Sequence, residues 1–122
     1  MSPKPANILL VVGVWGDVTH EDARRSADIL AEVLQSRKAN VEIVDRGDGE
    51  DAVLNRLRAK PRVDSVVFCS RGLADMARRV RLYREFRDTS VFVHTALVPD
   101  EEVVFVSKAL DPDTCADIFI NG

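Results

Sequence analysis

Asn7–Val14, NILLVVGV, is aliphatic at every position except Asn7 and Gly13. A strand with one wet face would alternate apolar and polar residues, and this stretch does not. It predicts a strand buried on both faces, the kind found in parallel sheets covered by helices on each side. Asp64–Cys69 (DSVVFC) repeats the pattern, and Ser90–Thr95 (SVFVHT) is a further short run rich in β-branched and aromatic residues. Asn40–Asp45 (NVEIVD) alternates instead, which suits a strand near the edge of the sheet.

Helical patterns fill the intervals. Thr19 is placed to cap a helix whose first turn holds Glu21 and Asp22. Ala23, Ala27, Leu30 and Leu34 form its apolar stripe, which ends near Arg37-Lys38. Asp48 can cap a second helix carrying Ala52, Val53 and Leu57, stopped by Pro61. After Ser70-Arg71-Gly72, a third helix sets Leu73, Met76, Ala77, Val80 and Tyr83 on one face. Glu102–Ser107 (EVVFVS) reads as a fifth strand, and Asp111-Pro112 as the N-cap and first position of a last helix over roughly Asp113–Ile120. Alternating strands and helices imply an α/β domain. Only about six residues join the fourth and fifth strands, too few for a usual parallel crossover. Either the fifth strand is antiparallel, a hairpin through Val98-Pro99-Asp100, or the crossover is an unusually short loop.

Composition agrees with one soluble domain over residues 1–122, since 46% of the chain is apolar and 30% charged. No apolar run is long enough to span a membrane. MSPKPANILLVVG is followed by GVWGDVTHED, with no small-residue cleavage site, so it reads as a strand and not as a secretory signal. Two cysteines, Cys69 and Cys115, make no disulfide framework and no zinc spacing, and a cytoplasmic protein without metal or cofactor is expected. The net charge of −3 argues against nucleic acid as a direct partner. Charge is unevenly spread, however: residues 71–88 hold six arginines against Asp75, Glu85 and Asp88, a local excess of +3 that leaves −6 elsewhere.

Order and spacing together resemble the receiver domains of two-component response regulators. NILLVV is similar to their first strand, and ILAEVLQSRKANVEIVDRGDGEDAVLNRL to the first helix, second strand and second helix. RVDSVVFC is similar to the strand that ends on the phosphoacceptor aspartate, VFVHTAL to the strand with the switch threonine, and SKALDPDT to the segment with the conserved lysine. The resemblance implies a flavodoxin/CheY-like doubly wound sheet of five strands in the order 2-1-3-4-5. Thr95 and Lys108 stand only 13 positions apart, about one helix short of the family spacing, so the fourth helix is expected to be missing or reduced to a loop. The same comparison implies a degenerate site. Cys69 stands where the phosphoacceptor would be, and Gly13 and Val14 replace the paired acids that hold Mg²⁺. Asp17 is displaced into the loop; Thr95 and Lys108 fit the switch threonine and the lysine. Cysteine cannot form an acyl phosphate, and a hard cation needs oxygen ligands. A pseudo-receiver acting through protein contacts or dimerisation is the implied role.

Two surfaces are candidates for those contacts. One is the third helix, where Arg71, Arg78, Arg79 and Arg81 gather opposite the apolar face with Leu82 among them. The other is the side of strands four and five, with Val98, Val103 and Phe105, which a missing helix would leave less covered. The partner is then another protein or a second copy. Only about eight residues remain for the last helix, which is compatible with an effector domain beyond Gly122. Two other functions compete. Cys69 at a strand-to-helix elbow could serve an enzyme or redox sensor, helped by His94 or Lys108, although a free cysteine is more often a small buried hydrophobe. The C-x5-R pattern of thiol phosphatases fails, because Asp75 stands at the arginine position. An FMN-binding flavodoxin should have a Ser/Thr-rich first loop, whereas GVWGDVT supplies one Thr. Trp15 in that loop could stack on a ligand or pack down on the first helix. His20 reads as a solvent-facing residue at the helix start, and His94 as a core histidine.

Overall fold

The aliphatic runs form the middle of a five-stranded sheet. A computed structural model of the chain describes residues 6–12, 20–45, 50–60, 62–69, 73–95, 104–107 and 111–121. β1 (Asn7–Val12) lies between β2 (Asn40–Asp45) and β3 (Ser65–Phe68), and β4 (Ser90–Thr95) and β5 (Val104–Ser107) follow, giving the order β2-β1-β3-β4-β5. Every neighbouring pair is parallel. α1 (His20–Ser36), α2 (Glu50–Arg58), α3 (Ala74–Leu82) and α4 (Pro112–Asn121) cover the two faces, and a 3₁₀ turn (Arg84–Phe86) follows α3. This is the doubly wound arrangement that the resemblance implies.

The direction of the last strand, open in the sequence, is parallel: Phe92 pairs with Val104 and Thr95 with Ser107. The connection to it, residues 96–103, is shorter than the dozen or more residues of a usual crossover. The expected absence of a helix there lies outside the described residues. So does the expected cap at Thr19.

Alternate residues of the central strands feed two apolar clusters. Leu9, Val11, Val66, Phe68, Val91 and Val93 pack with Val53, Leu54 and Leu57 of α2 and with Met76, Ala77 and Val80 of α3. Ile8, Leu10, Val12, Val67 and Phe92 pack with Ala27, Leu30 and Leu34 of α1 and with Cys115, Ala116 and Phe119 of α4. Phe119 is fully buried against the edge of Phe92, at 5.2 Å between ring centroids, and its carbonyl accepts the buried Ser65 hydroxyl at 2.9 Å. Asp111 caps α4 as expected. Its carboxylate accepts the Thr114 N–H at 3.1 Å and the Thr114 hydroxyl at 2.6 Å, which hold the Asp111 carboxyl below its usual range.

One reading of the third helix is corrected. Tyr83 does not continue the buried face; the helix ends at Leu82, and Tyr83 is extended (φ −74°, ψ 124°) and 39% exposed. The buried place is taken by Phe86 of the 3₁₀ turn, 5.7 Å from the Tyr83 ring.

At the edge of the sheet, the Arg56 guanidinium of α2 donates to both carboxylate oxygens of Glu42 on β2, at 2.5 and 2.7 Å. The Arg56 hydrogen bonds keep the Glu42 carboxyl below its usual range against the opposing effect of burial. A depressed carboxyl contributes stability above its unfolded pKa of about 4.3 and loses it as pH falls through the lower folded value. Glu42→Gln should therefore cost about 0.2–1 kcal/mol at pH 7, and the gap to the unmodified protein should close in urea titrations repeated toward pH 3. Phe119→Ala should cost about 3–5 kcal/mol in the same titrations, while exposed Leu82→Ala stays within about 0.5 kcal/mol.

Candidate functional site

In a parallel α/β sheet the loops that follow the strands share one edge, and ligand sites form there. The register places the last residues of the strands together: Val12 pairs with Asp45, Phe68 with both Val11 and Val93, and Thr95 with Ser107. Cys69 directly follows β3 and its N–H donates to the Val11 carbonyl at 2.9 Å, so it extends the pairing of β3 with β1 by one residue. Cys69 and Thr95 thus mark the ends of adjacent strands, as the resemblance requires. Gly13, Val14, Asp17 and Lys108 lie outside the described residues, as do Arg71, Val98 and Val103; of Thr95 and Phe105 the backbone alone is described.

The chemistry at Cys69 is that of a core residue. It is 2% exposed, belongs to the apolar cluster under α1 and α4, and has its sulfur 3.6 Å from the Val67 carbonyl oxygen. His94, named from the sequence as a helper for Cys69, is buried and lies beside the other thiol: its Nε2 is 3.5 Å from Sγ of Cys115, and its ring stands edge-on to Phe119 at 5.6 Å. Burial, then the nearby Asp111 carboxylate, push the Cys115 thiol above its ordinary range, so it remains protonated at neutral pH. This is a packed thiol and imidazole, unlike the activated pair of a cysteine nucleophile. Nothing in the sequence signals the contact, since 21 positions separate the two residues and no spacing motif joins them. Among the described residues, no group of three or more His, Cys, Asp or Glu side chains could hold a metal ion.

A cleft of about 460 Å³ lies at the other end of the sheet, where β1 and β2 begin, lined by Asn7, Gln35, Asn40, Glu42 and Arg56 among others. Four of its polar side chains are spent on structure: Asn40 donates to Asn7, Asn7 donates to the Arg62 carbonyl, and Glu42 and Arg56 hold each other. It is remote from the strand ends just described.

The arginine surface is present in part. Arg78 is half-buried and paired with Asp75 one turn away; Arg79 and Arg81 are exposed. Leu82 beside them is 82% exposed.

Solved structures similar to this chain include response regulators and a fragment assigned as a lipoprotein from Peptoclostridium difficile, the latter with a TM-score of 0.68 at 10% identity, over 93% of this chain and 94% of that one. CheY4 of Vibrio cholerae, a chemotaxis response regulator, superposes with a TM-score of 0.68 at 16% identity, over 94% of this chain and 96% of that one. A protein assigned as a response regulator from Chloroflexus aurantiacus gives 0.71 at 18% identity, over 97% of both chains. The receiver domain of a DNA-binding response regulator from Colwellia psychrerythraea gives 0.64 at 14% identity, over 93% and 94%. No protein-family model and no curated protein sequence matches the chain. At such identities the likeness establishes the CheY-like fold.

The two buried thiols give a direct test of the cysteine chemistry. Iodoacetamide at pH 7.5 should modify Cys69 and Cys115 at least about a thousandfold more slowly in the native protein than in denaturant, because access requires unfolding. Fast labelling of Cys69 in the folded protein would restore the nucleophile reading.

Proposed function

We propose that this chain is a receiver-type signalling module of the degenerate kind, which works through protein contacts and without phosphorylation. The observation that carries the reading is the placement of Cys69. In the receiver fold, the end of β3 presents the phosphoacceptor carboxylate; here that position holds a thiol side chain buried in the apolar cluster with Leu10, Val12, Val67 and Cys115. The sequence supports it from the neighbouring strand end, where Gly13 and Val14 supply no carboxylate for Mg²⁺. Enzymatic use of Cys69 is not favoured, because its side chain is buried in the apolar cluster with its sulfur 3.6 Å from the Val67 carbonyl oxygen.

The same reading makes the partner a protein, another copy of the chain included, and assigns no part to a cofactor, a metal or nucleic acid. No helix among the described residues is long and apolar enough to cross a membrane. A cytoplasmic setting and an effector domain joined to the receiver belong to the proposal as well. Of the two sequence-predicted surfaces, the arginine-bearing end of α3 is the one with exposed side chains on view.

Acetyl phosphate with Mg²⁺ is a general small-molecule donor for receiver aspartates. Intact-mass spectrometry after incubation should show the unmodified mass, and titration with Mg²⁺ alone should leave Trp15 fluorescence unchanged. A phosphoryl adduct stable enough to detect, or saturable Mg²⁺ binding, would refute phosphorylation independence.

A further inference from the structure

The two helix layers differ in charge. Along α1 and α4, which pack together on one face of the sheet, the sequence places six acidic residues and two arginines. Along α2, α3 and the 3₁₀ turn on the other face it places four acidic residues and six arginines. Where the end of α2 meets the 3₁₀ turn, the acids are engaged: Glu85 with Arg58 at 2.7 Å and Asp88 with Arg62 at 3.2 Å. Asp64 accepts the Asn7 N–H at 2.8 Å. These contacts leave cations over. Lys60 stands between Arg58 and Arg62 in the chain, and Arg84 and Arg87 flank Glu85; all three are exposed and make no ion pair among the described residues. The Arg87 N–H donates to the Arg84 carbonyl at 3.2 Å, and side chains three apart on a 3₁₀ turn eclipse, so both arginines leave the turn on one side. Next to them in the chain, Leu82 is 82% exposed and Tyr83 39%.

We propose that this corner rests on an anionic lipid surface, with Lys60, Arg84 and Arg87 at the headgroup phosphates, Leu82 entering the headgroup layer and the Tyr83 ring at its boundary. Charge and size both select that occupant. Unpaired cations beside an apolar tip match a layer that is negative outside and apolar within. A stable protein interface takes about 800 Å² of each partner around an apolar core, and two apolar side chains at a helix end do not supply one. A nucleic acid would engage the cations but give Leu82 no place, and the net charge of −3 opposes it. The contact is reversible, because stable anchoring takes a second signal such as a lipid chain. The inference goes beyond the protein-contact reading, which other surfaces can serve.

Co-sedimentation of the purified chain with sucrose-loaded vesicles tests this. At about 1 mM lipid and 50 mM NaCl, the bound fraction should be about fivefold higher or more on vesicles with about 40 mol% phosphatidylglycerol than on phosphatidylcholine alone. About 500 mM NaCl should remove the difference, since screening weakens the charge attraction. Replacing Arg84 and Arg87 together by Gln should lower binding to the anionic vesicles by about tenfold, and Leu82→Ser by about threefold. Arg25→Gln, an exposed arginine of the opposite layer, removes one positive charge elsewhere and should leave binding unchanged. All of these alter exposed side chains, so far-ultraviolet circular dichroism should be unchanged. Equal binding to both vesicle types, binding to neither, or a loss in Arg25→Gln as large as in the double variant would overturn the lipid contact. So would binding of poly-L-glutamate in place of the vesicles with Leu82→Ser indifferent, which would assign the cations to an acidic protein. None of these results bears on phosphoryl labelling, so the two readings stand or fall separately.

Discussion

The structure depends on one constraint: β1 must be buried on both sides at once. Leu9 and Val11 face one layer and Leu10 and Val12 the other, and all four are at most 1% exposed. A strand without a polar face cannot lie at a surface, so helices are needed above and below it, and parallel neighbours joined by crossovers supply them. Parallel pairing then sends every connection back across a face and leaves all the strand ends along one edge. The position of the candidate site follows from where the aliphatic residues are, before any functional residue is considered.

This explains which parts of the fold were legible. β2 and β4 begin and end where the sequence places them, at Asn40–Asp45 and Ser90–Thr95, because the ends of their apolar pattern coincide with polar residues. The direction of β5 was not legible, since a connection of eight residues can serve a hairpin or a tight crossover and strand direction is decided by distant pairing. Tyr83 misled for a local reason. Helical spacing puts it on the apolar face, but the chain leaves the helix at Leu82, and Phe86 reaches the core from a 3₁₀ turn of different periodicity. At the site, the identity of Cys69 and its place after β3 were readable. Its burial agrees with the ordinary reading of a free cysteine as a small apolar residue, whereas the meeting of His94 with Cys115 was not readable, because it depends on how α4 packs.

Burial also gives the cysteine its chemical meaning. A carboxylate at a position 2% exposed, surrounded by aliphatic side chains, would lose its hydration and gain no partner on view, so its charged form would be strongly disfavoured. A thiol suffers little from the same surroundings and packs as a small apolar group. The end of β3 therefore adds cohesion to the core. A fold shared with response regulators leaves function to be argued from the site.

The charge difference between the faces has its origin in the same topology. The strand order reverses at β1, so α1 leads outward to β2 while α2 and α3 lead back across to β3 and β4. Right-handed crossovers taken in opposite directions put their helices on opposite faces. The final helix returns to the α1 side, where Arg37 at the end of α1 pairs with Asp113 and Asp117 of α4. The arginines of α3, part of the basic stretch of residues 71–88, thereby lie on the face opposite the acidic residues of α1 and α4.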